Sequence, residues 1–167
     1  FFMSGNHDSL VDCAKLAVDA SMRKAFCNAI RFILENQFVC VHKQDEFVHF
    51  VKTGAGMGLE SSDDLCSWCF FKLVEEFLLR PENKRRFCIE AYFRFKDDIL
   101  IFSGGDRRLH GELLACISER AKFFKIAPDE CSFRRVVMLD LYVSLDGDYH
   151  RSGKPQTSIH TKPSSMA

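Results

Sequence analysis

The chain has 167 residues, about one domain's length, and 47% of them are apolar, including 17 phenylalanines. That is enough apolar surface for a real core and excludes an intrinsically disordered chain. Lys plus Arg equals Asp plus Glu at 23 each, which excludes a global basic footprint for nucleic acid and leaves only local patches. No apolar run reaches the roughly 18 residues of a membrane span, so no membrane partner is expected, and nothing reads as a signal peptide.

Eight cysteines could form a disulfide framework by count. Most lie in apolar, regular segments of a chain too large to need staples, so free, buried thiols in an intracellular, reducing compartment are the expectation. Nucleus and cytoplasm remain open. Cys66-Ser-Trp-Cys69 is a CxxC without a second pair or histidines at zinc spacing, so a core role is expected there. The chain opens on Phe1-Phe2 rather than Met, and is expected to be a piece of a longer polypeptide.

In chain order, residues 1–7 read as a strand end entering a loop at Ser4-Gly5-Asn6. Asp8 or Ser9 can cap a helix with Leu10, Ala14 and Ala17/Val18 on its inner face. A second helix is expected from Ser21 to Glu35, burying Met22, Phe26, Ile30, Ile33 and Leu34. Phe38 to Val41 and Phe47 to Val51 flank the polar turn 43–46 and predict a β-hairpin. A glycine cluster comes next at Gly54, Gly56 and Gly58. Ser61 to Asp64 then caps an apolar helix from Leu65 to Leu79, which Pro81 should stop, leaving 82–86 as a solvated loop.

Ala91 to Phe95 and Ile99 to Phe102 are rich in β-branched and aromatic residues, and Asp97-Asp98 between them should be the turn of a second hairpin. Leu109, Leu113, Ile117 and Ala121 recur at four-residue spacing and predict an amphipathic helix. Short strands are expected at Lys125-Ile126, Val136 to Ser144 and Asp148 to His150, the last two joined at Asp146-Gly147. Residues 152–167 are Ser/Thr/Pro/Lys-rich and expected to be an extended or loosely ordered tail. The order of elements predicts an α+β fold, an antiparallel sheet with helices packed on one face.

Two carboxylates on a rigid turn suit a divalent cation, since Mg²⁺ takes one or two carboxylates plus water and substrate phosphates. A solvated turn explains the dipeptide equally well. Glycines let a backbone approach a sugar-phosphate closely, and the start of the next helix offers free N–H groups to an anion. A glycine-rich turn that merely caps a core helix fits the same residues.

Arg94-Phe95-Lys96-Asp97-Asp98 resembles the Arg-Tyr-x-Asp-Asp block of reverse transcriptases, with Phe95 in place of Tyr. Gly54-Ala55-Gly56-Met57-Gly58, with Ser61-Ser62 after it, resembles the family's template-and-nucleotide-positioning block. Its Met-Gly form is most like Penelope-type, non-retroviral retroelements, and Gly56 stands where Pro is frequent. Lys122-Phe123-Phe124-Lys125-Ile126 is similar to the helix-then-strand element whose lysine protonates the leaving pyrophosphate, with either lysine a candidate. Met138-Leu139-Asp140-Leu141 resembles the primer-grip block, and Thr161-Lys162-Pro163-Ser164 echoes the Lys-Pro-Thr after it. Phe1-Phe2-Met3-Ser4-Gly5 resembles the residues shortly after the first catalytic aspartate of the family, with Phe2 as the steric gate against a ribose 2′-OH.

The resemblance implies a polymerase palm over residues 1–151, truncated at its N-terminus, with the tail leading toward a thumb. Fingers and thumb parts of the parent chain would be missing. It implies Asp97, Asp98 and Lys125 as catalytic residues, Asp97 and Asp98 as ligands of two Mg²⁺ ions (Mn²⁺ as an alternative), and Phe2, Gly54, Gly56, Met57, Gly58, Phe95 and Lys96 as substrate-binding. The implied partners are an RNA or DNA template, a DNA primer and a deoxynucleoside triphosphate. With the first aspartate absent, the isolated chain is expected to be inactive. Two alternatives stand beside this: a decayed or domesticated palm that binds nucleic acid or protein without catalysis, and a viral RNA polymerase palm, which usually has Gly before Asp-Asp.

Overall fold

A computed structural model describes residues 5–40, 48–56, 60–147 and 149–160 of the chain. The fold is mixed, with helices and small antiparallel sheets. The chain divides into two compact units, Phe1–Ile89 with Ser103–Ile126, and Glu90–Phe102 with Ala127–Ala167.

The first unit opens on α1 (His7–Ala14), extended by a 3₁₀ turn over Lys15–Ala17. Its cap is Asn6, whose Oδ1 accepts a hydrogen bond from the Ser9 N–H at 2.7 Å, rather than Asp8 or Ser9. An Asx side chain one residue before the first helical position reaches an N–H that the helix itself leaves unpaired. Next, α2 (Arg23–Glu35) starts two residues later than expected. Its expected inner face is only partly inside: Leu34 is buried, Phe26 and Ile30 are half-buried, and Met22 and Ile33 are exposed. Phe32, on no expected core face, is also exposed.

Strands β1 (Phe38–Val39) and β2 (His49–Phe50) pair antiparallel, Phe38 opposite Phe50 and Val39 opposite His49. The expected hairpin is present in these four residues, and its turn at 43–46 lies outside the described residues.

The longest helical stretch runs as α3 (Glu60–Phe70), a π-helical turn over Phe71–Glu75, and α4 (Glu76–Leu78). Cys66, Phe70, Val74 and Leu78 on it are all fully buried. Four-residue steps overshoot a regular α-helical turn by about 40° each, so a stripe of this spacing drifts off one face. The wider π turn absorbs part of that drift and keeps all four inside. In the regular α6 (Arg107–Ala121) the same spacing buries Leu113, Ile117 and Ala121 but leaves Leu109 half-buried.

The run ends at Leu78, capped by Leu79 just before Pro81, as expected, but the loop expected after it is helical. Pro81 opens a short helix, α5 (Pro81–Arg86), at a position where its missing N–H costs nothing. Residues 82–86 are therefore helical, and buried Asn83 donates from Nδ2 to the Phe77 carbonyl at 2.8 Å. The core of this unit gathers α1 (Leu10, Ala14), Leu34, the 66–78 stripe, Phe87 and the inner face of α6. Phe124 closes it edge-on against Phe70, ring centroids 5.5 Å apart. Arg120 of α6 donates from Nε to the Leu73 carbonyl at 3.1 Å, and its guanidinium lies 3.9 Å from the Phe77 ring centre. The π turn thus gains a carbonyl partner outside its own helix.

Strands β3 (Ile89–Phe95) and β4 (Asp98–Ser103) form a two-stranded sheet whose strand ends, Ile89 and Ser103, belong to the first unit. In the second unit, β5 (Arg135–Met138), β6 (Leu141–Ser144) and β7 (Gln156–Ile159) form a three-stranded antiparallel sheet in the order β5-β6-β7. The expected single strand from Val136 to Ser144 is a hairpin, since Leu139 takes φ 57° and Met138 pairs with Leu141. Lys125-Ile126 is not a strand, and the expected strand near His150 is the short helix α7 (Tyr149–Ser152). Part of the expected tail is extended and also paired: Leu141 faces Ile159 and Ser144 faces Gln156. One continuous sheet was expected, and the described residues form three small ones.

The cysteines are free: Cys13, Cys66 and Cys69 are buried and Cys40, Cys88 and Cys131 exposed. Burial pushes the Cys66 thiol up to about 11, and a hydrogen bond with Cys13 together with burial pushes Cys69 up. At pH 8, iodoacetamide followed by mass spectrometry should label Cys40, Cys88 and Cys131 first, and Cys66 and Cys69 only on unfolding. Equal rates at all sites would contradict this packing. The folded chain holds the Cys66 proton more tightly than the unfolded chain. Its share of stability is therefore complete below pH 9 and lost as pH rises toward 11, a loss absent from Cys66→Ala.

Candidate active site

The acidic hairpin turns one residue earlier than expected. Lys96 and Asp97 are the turn and Asp98 opens β4. Lys96 takes φ 54°, a left-handed conformation that costs a non-glycine residue about 1 kcal/mol or more. Arg94 braces it, donating from Nη1 to the Lys96 carbonyl at 2.9 Å. Asp97, Asp98, Lys96 and Phe95 are all exposed. Phe93 is exposed as well, and meets Phe102 of β4 edge-on at 6.2 Å. The turn therefore presents two carboxyl side chains to solvent, flanked by a lysine and an open aromatic ring. Among the described residues no group of three or more His, Cys, Asp or Glu could hold a metal ion. A cation at this turn would draw its remaining ligands from water and substrate, as Mg²⁺ does.

The two strands are closed at their base within the first unit. Ser103 Oγ donates to the Phe87 carbonyl at 2.8 Å and the Gly104 N–H to the Cys88 carbonyl at 3.0 Å. Cys88 itself takes φ 50°, so the chain bends sharply as it enters β3.

In the glycine block, Gly54 has φ 77°, a conformation glycine adopts without strain. It is buried, as is Ala55, while Gly56 is half-buried. Gly54 is thus a structural glycine, and among the described members of the block only Gly56 retains exposed surface. Three ties hold the segment. The Gly54 N–H donates to the Gly5 carbonyl at 2.8 Å, the Gly56 N–H donates to Gln37 Oε1, and Ser62 Oγ donates to the Gly56 carbonyl at 2.7 Å. Ser62, in the first turn of α3, is buried. The candidates Phe2, Met57 and Gly58 lie outside the described residues, as does the Thr161–Ser164 echo.

Lys125 is exposed on irregular chain beyond α6, as is Lys122, which caps that helix with φ 54°. The helix-then-strand element expected there is a helix followed by a bend. Its two phenylalanines turn inward: Phe124 is buried, and the Phe123 ring lies against Gly5, 2.7 Å from where a Cβ would sit. Asp140 occupies the β5–β6 turn, exposed, with its carbonyl accepting from the His160 N–H at 2.8 Å.

Within the first unit, then, Gly54 of the glycine block and Phe123 of the Lys122–Ile126 block both meet Gly5. Sequence reasoning missed Gln37. An amide beside the apolar run Phe38 to Val41 was its only signal, and periodicity does not identify such a residue as buried. Comparison with family models, with curated proteins and with solved structures returned no match.

The junction makes a direct prediction. Gly5 has φ 84° and no room beside Phe123, so Gly5→Ala strains the backbone and displaces the ring together. A loss of about 2–3 kcal/mol in urea denaturation is expected, with Phe123→Ala in the same background recovering part of it.

Proposed function

We propose that this chain is part of a reverse-transcriptase palm, acting in template-directed transfer of deoxynucleotides to a primer 3′-OH. The observation that carries the proposal is the meeting at Gly5. Three segments far apart in sequence, each named from its likeness to a polymerase block, are joined there by the Gly5–Gly54 hydrogen bond and the Gly5–Phe123 contact. The acidic hairpin supports it with two exposed carboxylates on a braced turn.

Each residue then has a definable task. Asp97, with Asp98 beside it, would hold Mg²⁺, because hard oxygen donors with room for water and phosphate suit that ion. Bound there, the metal would stabilise charge on the attacking and leaving oxygens of the displacement. Phe95 and Lys96 flank the carboxylates, where an aromatic face and a cation suit a base and a phosphate. Lys125 or Lys122, both exposed, can supply a proton to a leaving pyrophosphate.

The decisive measurement is primer extension by the protein that carries this chain. Asp97→Asn should lower Mg²⁺-dependent incorporation by on the order of a thousandfold, since metal-borne charge stabilisation is worth several kcal/mol. Asp129→Asn, a change on exposed chain outside the site, should leave it within about twofold. A protein whose biological function survives Asp97→Ala would instead be a palm that binds without catalysis.

A further inference from the structure

Gln37 lies between α2 and β1 and is almost wholly buried, at 4% exposure. A buried carboxamide needs partners for both its ends, and this one finds them in backbone groups far apart in sequence. Its Nε2 donates to the Leu34 carbonyl at 3.0 Å, in the last turn of α2. Its Oε1 accepts from the Gly56 N–H, nineteen residues on. The Gln37 carbonyl accepts from the Val51 N–H at 3.0 Å, which draws the chain leaving β2 alongside. One residue thus connects the end of α2, the exit of β2 and the glycine block.

Gly56 is held from both sides. Gln37 takes its N–H and Ser62 Oγ, itself buried, donates to its carbonyl. The peptide planes on either side of this half-buried glycine are therefore set by side chains rather than by a helix or a strand ladder. A satisfied core amide could make such bonds anywhere. Here they converge on the one glycine of the described block that keeps exposed surface. Glycine without such ties is the least ordered residue of a chain, and ordering it at the moment of binding costs affinity.

We propose that Gln37 is a positioning residue for the incoming nucleotide. By fixing the Gly56 peptide in advance, it holds the glycine backbone in the orientation that a deoxynucleoside triphosphate meets. This rests on the polymerase function proposed for the chain. Gln37 makes no contact with substrate itself and acts through Gly56.

The test uses the protein that carries this chain and compares wild type with Gln37→Met, which keeps length and loses both side-chain hydrogen bonds, and Gln37→Glu, which keeps the acceptor facing Gly56. Amide hydrogen exchange at Gly56 should accelerate about tenfold or more in the Met variant and return toward wild type in the Glu variant. The dissociation constant for dATP with Mg²⁺, from amide shift titration, should rise about tenfold in Gln37→Met and stay within about threefold in Gln37→Glu. Affinity for a primer–template duplex, by fluorescence anisotropy, should stay within about twofold in both. Thermal melts identify any variant that fails to fold, and Gln37→Leu, which also loses both side-chain hydrogen bonds, then replaces Gln37→Met in the comparison. Unchanged Gly56 exchange in Gln37→Met overturns the proposal. So does faster exchange with unchanged dATP affinity, which would make Gln37 a core amide only. A wild-type protein carrying this chain that shows no affinity for dATP overturns the polymerase reading and this inference together, and is distinguishable because it appears before any substitution is made.

Discussion

The first unit depends on burying one face of the helical run from Glu60 to Leu78. Cys66, Phe70, Val74 and Leu78 are spaced every four residues, and all four are fully buried. An ordinary α-helix would rotate such a stripe away from a single face, and the π turn at Phe71–Glu75 is how the chain keeps it inside. Neighbouring elements are tied to the same helical run. The Trp68 N–H reaches the Cys13 carbonyl of α1 at 3.2 Å, Arg120 of α6 bonds the π turn at Leu73, and Phe124 meets Phe70 edge-on. The same helix begins with Ser62, whose hydroxyl holds the glycine block. Burial of one stripe therefore orients both the core and a part of the candidate site.

Around Gly5 the packing is close enough that the fold and the candidate site share residues. A positive φ and the Phe123 ring both demand a glycine there. Its carbonyl is spent on the buried N–H of Gly54, which would otherwise be an unpaired donor away from water. Gly56, one peptide beyond Ala55, has its own polar groups taken by Gln37 and Ser62. Gly54 and Gly56 are thus held for reasons independent of any ligand. Rigid elements with a surviving exposed face are where binding groups are held at low entropic cost. The acidic hairpin is braced differently, by the Arg94 side chain folded back on the Lys96 carbonyl. Exposed Phe93 and Phe95 leave one aromatic surface of it open to solvent.

Several expectations failed for identifiable physical reasons. Periodicity marked Met22 and Ile33 as core, but α2 buries little beyond Leu34, so amphipathic spacing exceeded the surface available to cover it. Residues 82–86 are charged and read as a solvated loop, yet Pro81, which ends the preceding run, is favourable at the first position of a new helix and opens one there. The run from Val136 to Ser144 is β-prone throughout, and no Gly or Asn marks its turn. Leu139 adopts a left-handed φ there, an uncommon choice for a bulky residue, and the strand folds back on itself.

What the sequence determined by itself was local. The hairpin around Asp97-Asp98, the helix on Leu113, Ile117 and Ala121, and the apolar helix through Cys66 and Phe70 were all legible, because each is a short-range pattern of polarity and propensity. The turn shifted by a single residue, onto Lys96-Asp97, since two-residue hairpins can place Lys in the left-handed region when a neighbour such as Arg94 bonds its carbonyl. The tertiary structure alone decided which residues beyond these patterns matter. Gly5, Phe123, Gln37 and Gly56 are separated by up to 118 positions, and nothing in their local sequence shows that they meet. Buried backbone groups must find partners wherever the folded chain brings them, and that constraint acts only once the core has closed.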